Sequence, residues 1–182
     1  MKDILVLGSS GLLGSELTSG KYLSKYKIIS HSLNSETDLN LNLENYESVI
    51  KMIEKVQPDT IINLVSLTNV DYCEEHPKSS YEINIATVKN IISGILKMSP
   101  KPFLVHISTD QVYDGVRLNT EDDVSLSNYY SYSKYCGELI AKKVDSTILR
   151  TNFFGKSKIT HRKSITDWLY TELSTGNEIN VF

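Results

Sequence analysis

Short apolar runs alternate with longer stretches whose apolar residues recur every three or four positions, which predicts strands and helices in turn along the chain. Ile4-Leu5-Val6-Leu7 is a continuous apolar run of strand length, stopped by Gly8. A helix is expected from Gly11 to about Leu23, with Leu12, Leu13 and Leu17 on neighbouring turns. Lys27-Ile28-Ile29-Ser30 reads as a second strand. From about Glu44, Val49, Met52, Ile53 and Val56 stand at helical spacing, and Pro58 follows as a stop. A third strand covers Thr60 to Val65. The long helix expected from about Ser79 to Met98 carries a wide apolar stripe of Ile85, Val88, Ile92, Ile95 and Leu96, with Asn84 read as an ordinary polar helix position. Phe103 to Ile107 makes a fourth strand, about Asn128 to Val144 a further helix, and Thr147-Ile148-Leu149 a fifth strand.

This alternation predicts an α/β fold, a doubly wound parallel sheet with helices on both faces. Right-handed crossovers then gather the loops after the strands along one sheet edge, where ligands of open α/β sheets bind. Those loops hold residues 8–14, 66–74, 108–115 and 150–155, so their polar residues are expected to converge.

Composition narrows the function classes. The 182 residues support one well-cored domain, and 40% apolar with 23% charged residues is ordinary globular composition. A net charge of −3 argues against nucleic acid or an anionic membrane as partner. No apolar run approaches the roughly 18 residues of a membrane span. Met1-Lys2 leads straight into a strand without the features of a signal peptide, so a cytoplasmic protein is expected. Cys73 and Cys136 form no CxxC pair and are expected as reduced thiols. His31, His76, His106 and His161 lack metal-ligand spacing, and no metal is expected.

Two motifs carry chemistry. Gly8-Ser9-Ser10-Gly11-Leu12-Leu13-Gly14 lies between a strand and a helix. There the first glycine allows a tight turn, the second lets backbone N–H groups approach a phosphate, and the third permits close helix packing. The unpaired N–H groups and dipole of a helix start favour an anion. The spacing is GxxGxxG, and no GKS or GKT suggests an ATP loop. Tyr130-Ser131-Tyr132-Ser133-Lys134 places a phenol and an ammonium four residues apart on one helix face. A lysine there is expected to lower a phenol pKa that is otherwise about 10, so that the phenol gives a proton to a carbonyl oxygen. Alone, such a pair is common on solvated helix faces. Together with the glycine turn and Ser108-Thr109-Asp110 at a strand end, it has chemical meaning. Strand alternation aims only one of Ser108 and Thr109 inward.

With these motifs the chain resembles an extended short-chain dehydrogenase/reductase, and more narrowly the dTDP-4-dehydrorhamnose reductase group. The resemblance runs through residues 6–14 and 58–63, then Thr68-Asn69-Val70-Asp71 with Glu74 and Pro77. It continues through residues 107–115, Tyr130 to Lys134 with Gly137-Glu138, and Leu149-Arg150-Thr151. It implies a Rossmann-type domain over residues 1–155 and NAD(P)H-dependent reduction of a 4-keto nucleotide sugar for surface-polysaccharide synthesis. Tyr130 would donate the proton, Lys134 would tune it and hold the nicotinamide ribose, and Thr109 would bond the substrate carbonyl. Gly8, Gly11, Leu12, Leu13 and Gly14 would wrap the pyrophosphate. Asn42-Leu43 matches the adenine side loosely, and Leu64-Val65-Ser66 lies along the cofactor. Thr68, Asp110, Gln111 and Phe153 would face the sugar. As partners it implies a nucleotide-sugar substrate and allows a homodimer.

Several departures shape these expectations. Gln111 stands where the group usually has tyrosine and Phe153 where it often has tryptophan, leaving the sugar open. Leu64-Val65 is bulkier than the usual small pair, enough to crowd the cofactor. The second strand ends Ser30-His31-Ser32 with no acid, which leans toward NADP or toward both dinucleotides. His161-Arg162-Lys163 reads as a solvated helix start. Family members continue well past Phe182, so residues 156–182 are expected to open a substrate-binding lobe that is mostly absent. The alternative functions are a cofactor-binding regulatory subunit without turnover, like the beta subunit of methionine adenosyltransferase, and an epimerase or dehydratase. The intact Thr109, Tyr130 and Lys134 set favours the reductase.

Overall fold

Ile4, Leu5, Val6 and Leu7 are all buried, so strand β1 (Asp3–Leu7) is covered on both faces, as a central parallel strand must be. In the computed structural model, which describes residues 1–19, 22–113, 118–157, 159 and 163–179, it is joined by five further strands. These are β2 (Lys27–Ser32), β3 (Leu39–Asn40), β4 (Thr60–Asn63), β5 (Phe103–Thr109) and β6 (Ser146–Thr151). All pairings are parallel, in the order β3-β2-β1-β4-β5-β6.

That order dictates where the helices lie. The step from β1 to β2 crosses the sheet one way and the step from β4 to β5 the other. Right-handed connections therefore put α1 (Leu12–Leu17) on one face and the helix before β5 on the opposite one. The β3-to-β4 connection runs in the second sense, and its helix α2 (Tyr46–Val56) accordingly packs against that same helix. The core on this face joins Leu5, Leu7, Ile61 and Leu104 of the strands to Val49, Met52 and Ile53 of α2 and to Val88, Ile91, Ile92 and Ile95. Between β1 and β4 the winding reverses. A crevice must open there at the carboxyl ends of the strands.

The β4-to-β5 connection starts with α3 (Val70–Glu75), capped by the Asn69 side chain on Tyr72 N–H at 2.9 Å. Helix α4 (Pro77–Tyr81), a π turn (Glu82–Ala86) and α5 (Thr87–Lys97) then follow without interruption. The expected long helix is thus present with an extra residue inserted in one turn. Helix α6 (Tyr129–Ala141) packs against α5 and β5, and Asn128 with Ser131 forms its capping box.

Four elements differ from the sequence expectation. Helix α1 stops at Leu17 and does not reach Leu23, because Thr18 and Ser19 bond back to Gly14 and Glu16 carbonyls and close the helix. Strand β3 and helix α3 are too short for hydrophobic periodicity to register. Helix α7 (Ile165–Thr175) begins after Ser164, whose capping box with Asp167 sets its start; it buries none of its residues. His161 and Arg162, Asp114 and Gly115, and Asn180 to Phe182 lie outside the described residues. Among the described residues no helix is long and apolar enough to cross a membrane, and no His, Cys, Asp and Glu cluster could hold a metal ion.

Ile53 is fully buried where α2 meets α5. Ile53→Ala is expected to cost about 2–5 kcal/mol, read as a lower urea midpoint with an unchanged slope.

Candidate active site

The glycine turn is organised by one carbonyl. His31 O at the end of β2 accepts Gly8 N–H at 3.0 Å, Ser9 N–H at 2.9 Å and the Ser9 hydroxyl at 2.9 Å. Gly8 reaches this arrangement with φ of +83°, which side chains rarely adopt. Gly14 is needed for a different reason. A Cβ there would stand 2.4 Å from Gly8 O and 2.6 Å from Ser9 Cα, so α1 lies directly on the turn's backbone. Gly11 is the extended N-cap of α1, and no side chain caps this end. With the Gly8 and Ser9 amides spent on His31, the N–H groups left to meet an anion are those of the first helical turn, including Leu12 and Leu13.

Two clefts flank the turn and share Gly8, Gly11, Leu64 and Ser66. One, of about 240 Å³, is lined by the glycine turn together with Thr68, Thr109, Asp110, Gln111, Tyr130 and Phe153. The other, of about 230 Å³, takes in Asn42, Leu43 and Val65 together with His31, Ser32 and Leu33. The sequence-expected residues other than Lys134 therefore line these two clefts at the carboxyl edge, with the glycine turn between them. Val65 packs beside the turn, its Cγ2 3.1 Å from where a Gly8 Cβ would stand.

Lys134 stands apart from the lining. It is buried, and its Nζ donates to Ile107 O at 2.7 Å. Burial lowers its pKa from the usual 10.5 to about 8, against an opposing pull from the Glu138 carboxylate. The expected lowering of the Tyr130 pKa is not what this arrangement produces. Burial raises it, hydrogen bonding with Thr109 and Ser66 opposes that rise, and the nearby Asp110 charge adds to it. The Lys134 ammonium instead acts on His106, which burial and that charge hold neutral with a pKa of about 3. Ser108 donates its hydroxyl to Glu138, which leaves Thr109 as the strand-end hydroxyl at the phenol.

Asn84 is the residue the sequence reading passed over. It is buried in the π turn and uses both ends of its amide. Its Oδ1 accepts Leu67 N–H at 2.8 Å and the Ser66 hydroxyl at 3.1 Å, while its Nδ2 donates to Leu67 O at 3.0 Å and Ser133 Oγ at 2.9 Å. It thereby fixes the loop after β4 against α6, and orients a hydroxyl that acts on Tyr130. A signal existed: Asn84 is in phase with Val88, Ile91 and Ile95, and a polar residue on an apolar stripe must be satisfied inside. The Asn63 carbonyl oxygen accepts Val65 N–H at 3.1 Å, which leaves its amide to donate to His106 Nδ1 at 3.1 Å.

Two outcomes follow from this packing. Gly14→Ala is expected to destabilise the chain by about 1–3 kcal/mol, because its methyl group meets backbone, and to displace the turn in amide hydrogen-exchange measurements. The unfolded chain holds more protons than the folded one between pH 8 and 10.5 because of Lys134, so this group lowers stability below that window and its cost is relieved through it. Lys134→Met should raise thermal stability at neutral pH, on the order of 2 kcal/mol, with the gain shrinking as pH rises through the window.

Comparison with known proteins agrees with this architecture. Residues 1–182 match the RmlD substrate binding domain family. The spore coat polysaccharide biosynthesis protein SpsK of Bacillus subtilis is 31% identical over 84% of this chain and 53% of its own length. The dTDP-4-dehydrorhamnose reductase of Aggregatibacter actinomycetemcomitans is 28% identical over 86% of this chain and 53% of its own. The crystal structure of a hypothetical dTDP-4-dehydrorhamnose reductase from Sulfolobus tokodaii superposes with a TM-score of 0.73 at 36% identity, over 82% of this chain and 55% of that one. The chain spans about half the length of these relatives. With its whole length matched and its clefts built from the family's motifs, this chain belongs to the RmlD substrate binding domain family.

Proposed function

We propose that this chain is the dinucleotide-binding half of a reductase that uses NAD(P)H on a 4-keto nucleotide sugar, in the synthesis of a surface polysaccharide. The observation that carries the reading is a single cleft lined by Tyr130, Thr109 and Ser66 together with the glycine turn. The residues present suit a dinucleotide. The turn is shaped so that Gly8 and Gly14 exclude any side chain, and the first turn of α1 offers N–H groups to a pyrophosphate. Leu64, Val65 and Ser66 would flank it, with Asn42 and Leu43 on the adenine side. The bound dinucleotide supplies a hydride equivalent to the carbonyl carbon.

The chain's own groups handle the oxygen. The Thr109 hydroxyl holds the carbonyl oxygen, and the Tyr130 phenol, kept neutral by burial, donates its proton there as the alcohol forms. Lys134 lies behind them, its ammonium held at Ile107 O. Thr68, Asp110, Gln111 and Phe153 face the sugar at the rim. Helix α7 would belong to the substrate-binding side.

The cofactor preference leans to NADP or to both dinucleotides. His31 and Ser32 end β2 without an acid, and the nearby Asp38 is engaged by Ser30 N–H at 2.7 Å and the Ser30 hydroxyl at 2.6 Å. NADPH and NADH titration, followed by oxidation with dTDP- and UDP-linked 4-keto sugars, tests the reading. Binding is expected; failure to bind either dinucleotide would overturn it, and binding with no turnover of any keto sugar by a version extended to the length of its relatives would favour a regulatory role. Tyr130→Phe is expected to reduce turnover at least about 100-fold with the dinucleotide dissociation constant nearly unchanged. An unaltered rate would remove Tyr130 from the chemistry.

A further inference from the structure

Parallel pairing of β5 with β6 sets Ser108 level with Arg150 and Thr109 level with Thr151. Side chains alternate across a sheet, so the two pairs are aimed at opposite faces. Thr109 and Thr151 line the cleft. Ser108 and Arg150 turn toward α6 and meet on Glu138, whose side chain is only 1% exposed. The Ser108 hydroxyl donates to Oε1. Arg150 donates from Nε to Oε1 and Oε2 at 3.0 and 3.2 Å, and from Nη2 to Oε2 at 2.7 Å. Its Nη1 donates to Tyr113 Oη at 2.8 Å and to Glu121 O at 2.7 Å. The guanidinium also lies over the Tyr113 ring, 5.0 Å from its centroid.

This network clamps α6, the helix of Tyr130, to the ends of both strands. A buried ion pair is a weak source of stability, and apolar side chains of the same volume would fill the space at least as well. What they would not supply is direction. One guanidinium here bonds three residues from three nitrogens, and each bond fixes an angle as well as a distance. We propose that Arg150 is a positioning residue for the Thr109 side of the cleft. Through Glu138 and Ser108 it sets Thr109 and Thr151 relative to Tyr130. Through Tyr113 it holds the far end of the 3-10 turn Asp110–Val112, whose near end is capped by Thr109 Oγ1 on Gln111 N–H at 3.2 Å. That turn carries Asp110 and Gln111 to the cleft. The role is geometric, because the two charges of the pair offset one another. Arg150→Lys keeps the charge but offers one nitrogen where three are used.

The consequence for turnover rests on the reductase reading, whereas the placement is measurable without it. The test is amide hydrogen exchange in the 182-residue chain, read by NMR. The Gln111 and Tyr113 N–H groups, bonded to Thr109 Oγ1 at 3.2 Å and Asp110 O at 3.0 Å, report the turn. The Gly8 and Ser9 N–H groups, both on His31 O, report the glycine corner across the cleft. Arg150→Lys should speed exchange at Gln111 and Tyr113 about 10-fold and leave Gly8 and Ser9 nearly unchanged. The double variant Glu138→Gln/Arg150→Met removes both charges with little change of volume. It should keep the urea midpoint of the unaltered chain and yet show the same local acceleration, which separates placement from stability. A purely structural pair would speed all four amides together in the single variant, through global opening, and none in the stable double variant. Either result would overturn the proposal, as would failure of both variants to fold. In a version extended to the length of its relatives, Arg150→Lys should lower kcat with the NADPH dissociation constant nearly unchanged. The stated exchange pattern in a chain that binds no dinucleotide would refute the reductase reading and uphold the placement.

Discussion

The contact on which the carboxyl edge of the sheet depends is backbone against backbone. Helix α1 lies on the Gly8–Ser9 peptide with no room for a methyl group at Gly14, and the same peptide is held by the His31 carbonyl. Strand β2, the turn and the first helix are therefore one rigid corner, and the two clefts open on its two sides. If the helix stood further out, its first N–H groups would face solvent, and a pyrophosphate would have water to displace with no preformed donors to meet. Glycine at that position is a steric requirement of the corner, independent of any ligand.

A second constraint acts from the other wall. Helix α6 carries Tyr130 and Lys134, and its position is set by polar side chains buried where apolar packing would be the default. Asn84 joins it to the loop after β4, Glu138 joins it to β5 and β6, and Asn128 fixes its start. Buried hydrogen bonds are directional, and an unmade one is costly, so they specify one register where a greasy interface would tolerate several. Precision of placement is bought here at the expense of stability, as the strained protonation of Lys134 shows.

Much of this was legible in the sequence. The parallel α/β arrangement follows from apolar runs such as residues 4–7 and 104–105, and the glycine spacing together with Tyr130 and Lys134 located the clefts. What escaped has physical causes. Strand β3 has two residues and leaves no periodicity to read. The end of α1 is set by local bonds of Thr18 and Ser19, which compete with helix continuation. The rise of the Tyr130 pKa comes from burial among residues distant in sequence, and the direction in which Lys134 points depends on the β5 backbone. Asn84 and Glu138 look like ordinary helix-surface residues until the sheet is assembled over them.

The rim residues have a different standing from the floor. Gln111 is exposed, Phe153 is 43% exposed, and Asn152 reaches Asp110 across the opening at 3.2 Å, with little else anchoring this side. Side chains held so loosely can be exchanged with little cost to folding, whereas each member of the corner and of the α6 clamp is tied to several others. Exchange at the rim could thus reshape the opening alone. The division makes the edge evolvable: a tightly interlocked floor beneath, and a replaceable mouth above it.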